Sequence, residues 1–196
     1  MAEKRNSALK VLLGSADGDS GMWVDLPVEA ERLQQVFRAL EIKEKGSVHV
    51  KEVAGPNNDV AKLLSGTDNL DALNTIAVFL SDMPDHEWVL ACAIAQMDLT
   101  QFGDNALEVY LNVLGDEDNL TGFEVIDAFN ETELGRYWAA EENLDMNSEA
   151  ELAAYGRENM ADGGTFTEWG YVRCQFKPRL LYDIDRPPEG LSLIHI

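Results

Sequence analysis

Apolar residues fall into short runs at the start of this chain, into helical stripes through its middle, and into mixed runs and stripes towards its end. The run 9–13 (LKVLL) predicts a first strand bounded by Gly14, and the run 22–26 (MWVDL) predicts a second, stopped by Pro27. Residues 15–21 (SADGDSG), lying between them, have the composition of a loop. A helix is predicted over 28–42, where Leu33, Val36, Phe37 and Leu40 fall at i, i+3, i+4 and i+7 and share one face. Residues 47–53 (SVHVKEV) alternate and predict a third strand. Gly55-Pro56-Asn57-Asn58 is a breaker cluster and the first expected boundary.

The pattern then turns helical. A short helix or turn is predicted over 58–64, and a longer helix over 69–83 with Leu70, Leu73, Ile76, Ala77 and Leu80 on one face. Pro84 ends it, and Asp85 is the expected cap of a helix over 85–97 with Trp88, Cys92 and Ala95 inward. Asp104 or Asn105 starts another, whose stripe is Leu107, Tyr110, Leu111 and Leu114 and whose end is Gly115. Short helices with short connections predict a small bundle.

Residues 115–119 (GDEDN) mark the second expected boundary. Residues 123–129 (FEVIDAF) predict a strand. Asn130-x-x-Glu133 and Ser148-x-x-Glu151 are capping-box patterns, opening helices that run to about 143 and about 162. Gly163-Gly164 ends the second, and the aromatic-rich residues 165–176 (TFTEWGYVRCQF) predict a further strand. Beyond Phe176 the tail is basic and Pro-rich and ends in LSLIHI, a stretch to which no role is assigned. The fold class expected from this order is α+β.

Charge changes the picture. The 196 residues have a formal net charge of −21. Residues 57–172 hold twenty-four acids and three bases (Lys62, Arg136, Arg157), so this segment alone carries a net −21. The first 56 residues are close to neutral, with Lys43, Lys45 and Lys51 among their bases, and the last 24 carry a net +1. Hydrophobic content of 45%, and aromatic residues such as Trp88, Tyr110, Tyr137, Trp138 and Trp169 lying among the acids, argue against a disordered acidic tail. The acids are expected to coat folded elements, at a cost in self-repulsion. They exclude direct nucleic-acid binding by this segment, which needs Lys and Arg against phosphate.

Cys92 and Cys174 form no CxxC motif and no disulfide framework, and their apolar company predicts buried free thiols. Residues 1–10 are polar with no signal-peptide h-region after them, no segment approaches a membrane span, and a cytoplasmic location is the expectation.

Candidate chemistry is sparse. Gly18-Asp19-Ser20-Gly21 looks like the nucleophile motif of trypsin-type proteases, but that mechanism needs a His base oriented by a buried Asp. His49, His86 and His195 have no such neighbourhood. A tight turn accounts for the same four residues. Asp17-x-Asp19 and Asp116-x-Asp118 suggest a calcium loop, yet the glycine required at position 6 is Met22 in one and Thr121 in the other. Metal-ligand clusters, a Walker loop and a dinucleotide fingerprint are absent from the sequence. No enzyme activity, cofactor or metal is therefore expected.

The acids themselves remain. Duplex DNA carries about one charge per 1.7 Å, so twenty-four carboxylates match roughly 40 Å, or about 12 base pairs. Held on rigid helices, they could occupy the positive groove of a DNA-binding protein, with electrostatic steering of association. An acidic face that merely solvates the fold has the same composition, and composition leaves both readings open.

Sequence motifs shift the balance. Over most of residues 10–175 the chain resembles the ArdA antirestriction proteins of plasmids, transposons and phages. Residues 21–26 (GMWVDL) are similar to the family's G-x-W-[IV]-D pattern, and residues 122–129 followed by 133–139 (ELGRYWA) to its strand-then-helix segment. Ala154-Tyr155-Gly156-Arg157 with residues 166–172 (FTEWGYV) resembles its most specific block, in order and in spacing. The resemblance implies a dimeric, elongated DNA mimic of three small domains in a curved row. It also implies binding to type I restriction–modification enzymes, at the methyltransferase core where DNA would lie, without catalysis or cofactor.

The expected division is an α+β domain over 1–56, a helical acidic domain over 57–118, an α+β acidic domain over 119–178, and a tail over 179–196. The expected phosphate-mimicking acids of the helical domain are Asp82, Asp85, Glu87, Asp104, Glu108, Asp116, Glu117 and Asp118. Those of the last domain are Glu124, Asp127, Glu131, Glu133, Glu141, Glu142, Asp145, Glu149 and Glu151. Residues 166–172 are expected in the core and as a dimer contact. Two chains end to end extend the mimicked length to about 24 base pairs. The alternatives are an acidic adaptor for another basic protein, and a hydrolase or metal enzyme dependent on a single carboxylate.

Overall fold

The structure, a computed structural model, describes residues 9–15, 20–42 and 48–186. The leader 1–7, the Asp17-x-Asp19 pair, Gly18, Lys43, Lys45, Ser47 and the ending 191–196 lie outside the described residues.

Strand β1 (Leu9–Ser15) lies between β2 (Gly21–Leu26) and β3 (Val48–Ala54), and both pairings are antiparallel. Val11 faces Val24 on one side and Val53 on the other, and Leu9 faces Leu26. Alternation puts Leu9, Val11, Leu13, Val24 and Leu26 in the core. Helix α1 (Ala30–Ala39) adds Leu33 and Val36 to that core. The helix is shorter than the predicted 28–42. At its start, the Val28 amide donates to the buried Asn74 side chain at 2.7 Å instead of entering a helix. At its end, Glu41 takes a left-handed φ of 57°.

Helices α2 (Asn58–Leu64), α3 (Leu70–Asp82), α4 (Asp85–Ile94), α5 (Ala106–Leu114) and α6 (Glu117–Thr121) form the middle of the molecule. Asparagine side chains cap three of them: Asn57 accepts from Val60, Asn69 from Ala72, and Asn105 from Leu107 and Glu108. α3 is buried all the way from Leu70 to Ala77, and α5 from Val109 to Leu114. A continuous apolar cluster runs from Leu9 in the first sheet through these helices to Phe123 and Val172.

Three expectations differ here. Asp85 is the first helical residue of α4 rather than its cap, a position taken by Pro84. α4 ends at Ile94 rather than near 97, and a 3-10 turn (Leu99–Gln101) capped by Asp98 follows. The expected boundary at 115–119 is partly helical, because the Asp116 carboxylate caps α6 through the Asn119 amide at 3.1 Å.

The second sheet has the order β4 (Phe123–Ile126), β6 (Gly170–Cys174), β5 (Thr165–Thr167), all antiparallel. The predicted strand over 165–176 is thus a hairpin. Thr167 Oγ1 donates to the Gly170 carbonyl at 2.8 Å and accepts from the Trp169 amide at 3.0 Å, closing the turn. Gly170 has a φ of 123°, which a side chain disfavours. Helices α7 (Glu131–Glu141) and α8 (Glu149–Glu158) pack against each other beside this sheet. Ile126, Ala128, Leu134 and Tyr171 make a second, smaller apolar cluster, with Trp138, Met160 and Phe166 against it. Trp88 of α4 meets Trp169 edge-on at 6.1 Å, joining the helices to the hairpin turn.

The tail is laid down by side chains that imitate a neighbouring strand. Asn112, fully buried, accepts from the Leu181 and Tyr182 amides at 2.6 and 2.7 Å and donates to the Tyr182 carbonyl at 2.7 Å. Asn119 accepts from the Arg179 amide and donates to the Arg179 carbonyl, both at 2.8 Å. Asn69 donates to the Ile184 carbonyl at 2.8 Å. No helix among the described residues is long and apolar enough to cross a membrane.

Candidate functional site

The acids lie where a fold can hold them. Of the twenty-four in residues 57–172, Asp71 alone falls in the buried class. Of the seventeen named as phosphate mimics, eleven are exposed, six are half-buried and none is buried. Nine of them occupy the first turn of a helix: Asp85, Glu87, Glu108, Glu117, Asp118, Glu131, Glu133, Glu149 and Glu151. Asp116 is itself a cap. The partial positive charge of a helix N-terminus stabilises an acid there by about 0.3–1 kcal/mol, which offsets part of the repulsion among them.

Some of these carboxylates hold the fold. Glu124 pairs with Arg173 and accepts from Gln175 at 2.9 Å, which ties β4 to β6 and its continuation. The Arg173 guanidinium also lies 4.5 Å from the centre of the Trp138 ring. Glu131 pairs with Arg157 across the α7–α8 hairpin. The first predicted capping box is made with a shifted return bond: Asn130 accepts from the Glu133 amide at 3.0 Å, and Glu133 accepts from the amide of Phe129, the residue before the cap, at 2.8 Å. The second predicted box is not made, since Ser148 forms no side-chain cap bond. Glu108 accepts from the Ile184 amide at 3.3 Å, helping to seat the tail.

Glu142 accepts from the Tyr155 hydroxyl at 2.7 Å, and this bond raises the tyrosine pKa above its ordinary value. Burial raises the pKa of Tyr110, whose hydroxyl donates to the Ala91 carbonyl at 3.1 Å. Burial likewise raises that of Cys174, a half-buried thiol bonded to the Phe176 carbonyl, while Cys92 is fully buried. Asp145 accepts from Asn147 at 2.9 Å.

Eight of the others are bare charge. Among the described residues, Asp82, Asp104, Glu117, Asp118, Asp127, Glu141, Glu149 and Glu151 have no side-chain hydrogen bond and no ion pair. Glu87 has the exposed His86 at 3.8 Å. Glu158, exposed and seven residues after Glu151, shares a face of α8 with it. It was not among the seventeen, though helical period alone identifies it.

The structure brings three of the named acids together at one depression. It has a volume of ≈ 390 Å³ and is lined by Asp82, Glu87 and Glu117 with Phe79, Met83, Leu114, Gly115 and Leu120. Five named acids, Glu131, Glu133, Glu141, Glu149 and Glu151, share the α7–α8 hairpin, with Glu142 capping the end of α7. Among the described residues, no group of three or more His, Cys, Asp or Glu is placed to hold a metal ion. What this arrangement offers chemically is fixed negative charge on helix ends.

Comparison with protein families finds that residues 18–173 match the family described as Antirestriction protein (ArdA). No curated protein and no solved structure matches the chain.

Proposed function

The chain belongs to the ArdA family of antirestriction proteins, and we propose that it acts as a DNA mimic, filling the DNA-binding groove of type I restriction–modification enzymes with its acidic surface. The observation that carries this reading is the placement of charge: a net −21 over residues 57–172, with every acid but Asp71 at the surface. Nothing in that segment but Lys62, Arg136 and Arg157 opposes it. A basic groove meeting such a surface releases the counterions of both partners, so binding is steered, fast and salt-dependent.

The target in this reading is the methyltransferase core, which holds DNA, and the setting is the cytoplasm. The chain works as a homodimer of protomers divided at about 56 and 118, and the carboxylates act as fixed charges, not as acids or bases. No cofactor and no catalytic step enter.

Gel filtration with a purified type I methyltransferase tests it. A stable complex at low salt that weakens steeply as salt rises is expected, together with competition by duplex DNA. Failure to form any complex at low salt overturns the reading. A complex that leaves DNA binding untouched favours an acidic adaptor.

A further inference from the structure

Four helix ends meet at the ≈ 390 Å³ depression. α3 ends there at Asp82 and α5 at Leu114, while α4 begins at Asp85 and α6 at Glu117. Helix starts favour anions and helix ends favour cations. The two starts are answered by Asp85 and Glu87 in α4 and by Glu117 and Asp118 in α6. The two ends are not answered, because neither α3 nor α5 has a basic residue in its last turn. No Lys or Arg lines the depression, and three carboxylates add to its negative charge. Its base is apolar: Leu114 and Leu120 are buried, and Phe79 and Met83 are half-buried.

A surface that only imitated phosphate would have no use for an apolar base. Resting on the DNA-mimic reading above, we propose that this groove seats one arginine side chain from the DNA-binding face of the restriction enzyme. An arginine lays an apolar stem along such a base while its head stays among polar groups. Its planar guanidinium is weakly hydrated and carries five donors, enough for carboxylates on several sides, whereas the lysine ammonium is compact and strongly hydrated. In DNA, an arginine reaches past phosphates to a base edge. Here the stem lies against Phe79 and Leu114 while the guanidinium stays among Asp82, Glu87 and Glu117. The groove thus supplies a contact that salt does not screen.

The test measures Kd for a purified type I methyltransferase across a range of salt, using the full chain and three variants. One is Asp82→Asn/Glu87→Gln/Glu117→Gln. The second, Glu141→Gln/Glu149→Gln/Glu151→Gln, removes the same charge outside the groove. The third, Met83→Trp, fills the groove and keeps every charge. The groove triple is expected to bind about tenfold more weakly than the control triple, as for an anchoring contact. Met83→Trp is expected to lose about tenfold with an unchanged salt slope. Equal losses in the two triples, or undiminished binding by Met83→Trp, overturn the groove while leaving mimicry standing. No complex with the unaltered chain overturns mimicry itself, and the groove's occupant with it.

Discussion

Gly135 of α7 and Gly156 of α8 face each other where the two helices cross, and neither has room for a β-carbon. One placed on Gly135 would collide with the Leu152 carbonyl, and one on Gly156 with the Glu131 carbonyl. The helices therefore meet backbone to backbone, and the acids of both are held on one rigid unit. Alanine at Gly156 must push the helices apart, at a cost of about 1–3 kcal/mol. Its better helix propensity returns about 1 kcal/mol. Gly156→Ala is expected to lower stability by up to about 2 kcal/mol in urea unfolding, and a raised midpoint would show that the hairpin tolerates separation.

Asn112 links α5 to the tail through three hydrogen bonds to Leu181 and Tyr182. Asn112→Leu keeps the volume and removes them all. At about 1 kcal/mol per bond, a loss of about 2–4 kcal/mol is expected. Hydrogen exchange at the Leu181 and Tyr182 amides reports it locally, and continued protection there would show that the tail is held by something else.

The bare acids of the α7–α8 hairpin are predicted to act additively. Exposed charge pairs contribute about 0.2–1 kcal/mol each. Neutralising Glu141, Glu149 or Glu151 alone is expected to weaken methyltransferase binding less than about fivefold. Adding Asp127→Asn to all three is expected to weaken it by about ten- to several-hundred-fold. Abolition of binding by any one substitution would point to a single dominant site.

Self-repulsion at a net charge of −21 makes the fold sensitive to salt. Raising sodium chloride to a few hundred millimolar shortens the range of repulsion. A gain of about 1 kcal/mol, or about 2–4 °C in Tm for a chain of this size, is expected from calorimetry. A lower Tm would show that local attractions outweigh the repulsion.

The Tyr155–Glu142 bond has a defined pH window. The tyrosine's folded pKa is raised, first by the bond to Glu142 and then by burial, so the neutral hydroxyl is the favoured form. The stabilisation is fully present below the ordinary tyrosine value of about 10 and is lost as pH rises through the folded value. In an ultraviolet titration, Glu142→Gln is expected to move one of the five tyrosines to lower pH. A titration curve identical to that of the unaltered chain would remove the bond from solution.

Much of the fold was legible because local pattern and tertiary need agree in it. The alternation of Leu9, Val11 and Leu13 places β1, and the stripe of Leu107, Tyr110, Leu111 and Leu114 places α5. The Asn130–Glu133 box was legible because both partners lie within one turn. Where the reading failed, a distant partner decided. Val28 leaves α1 for Asn74, forty-six residues away. The hairpin at Thr167–Gly170 depends on the Gly170 backbone conformation, which residue type alone does not dictate.

The sequence by itself determined that this protein carries a net −21 in one folded segment, and that its motifs are those of antirestriction proteins, since charge and residue order are additive properties of the chain. Only the tertiary structure decided how each carboxylate is used. Glu124, Glu131 and Glu133 hold the fold because partners such as Arg173, Arg157 and the Phe129 amide come within reach of them. Asp82, Glu87 and Glu117, on three different helices, become neighbours only when the ends of α3 and α5 meet the starts of α4 and α6. A carboxylate's charge is fixed by its chemistry, but its neighbours are fixed by packing.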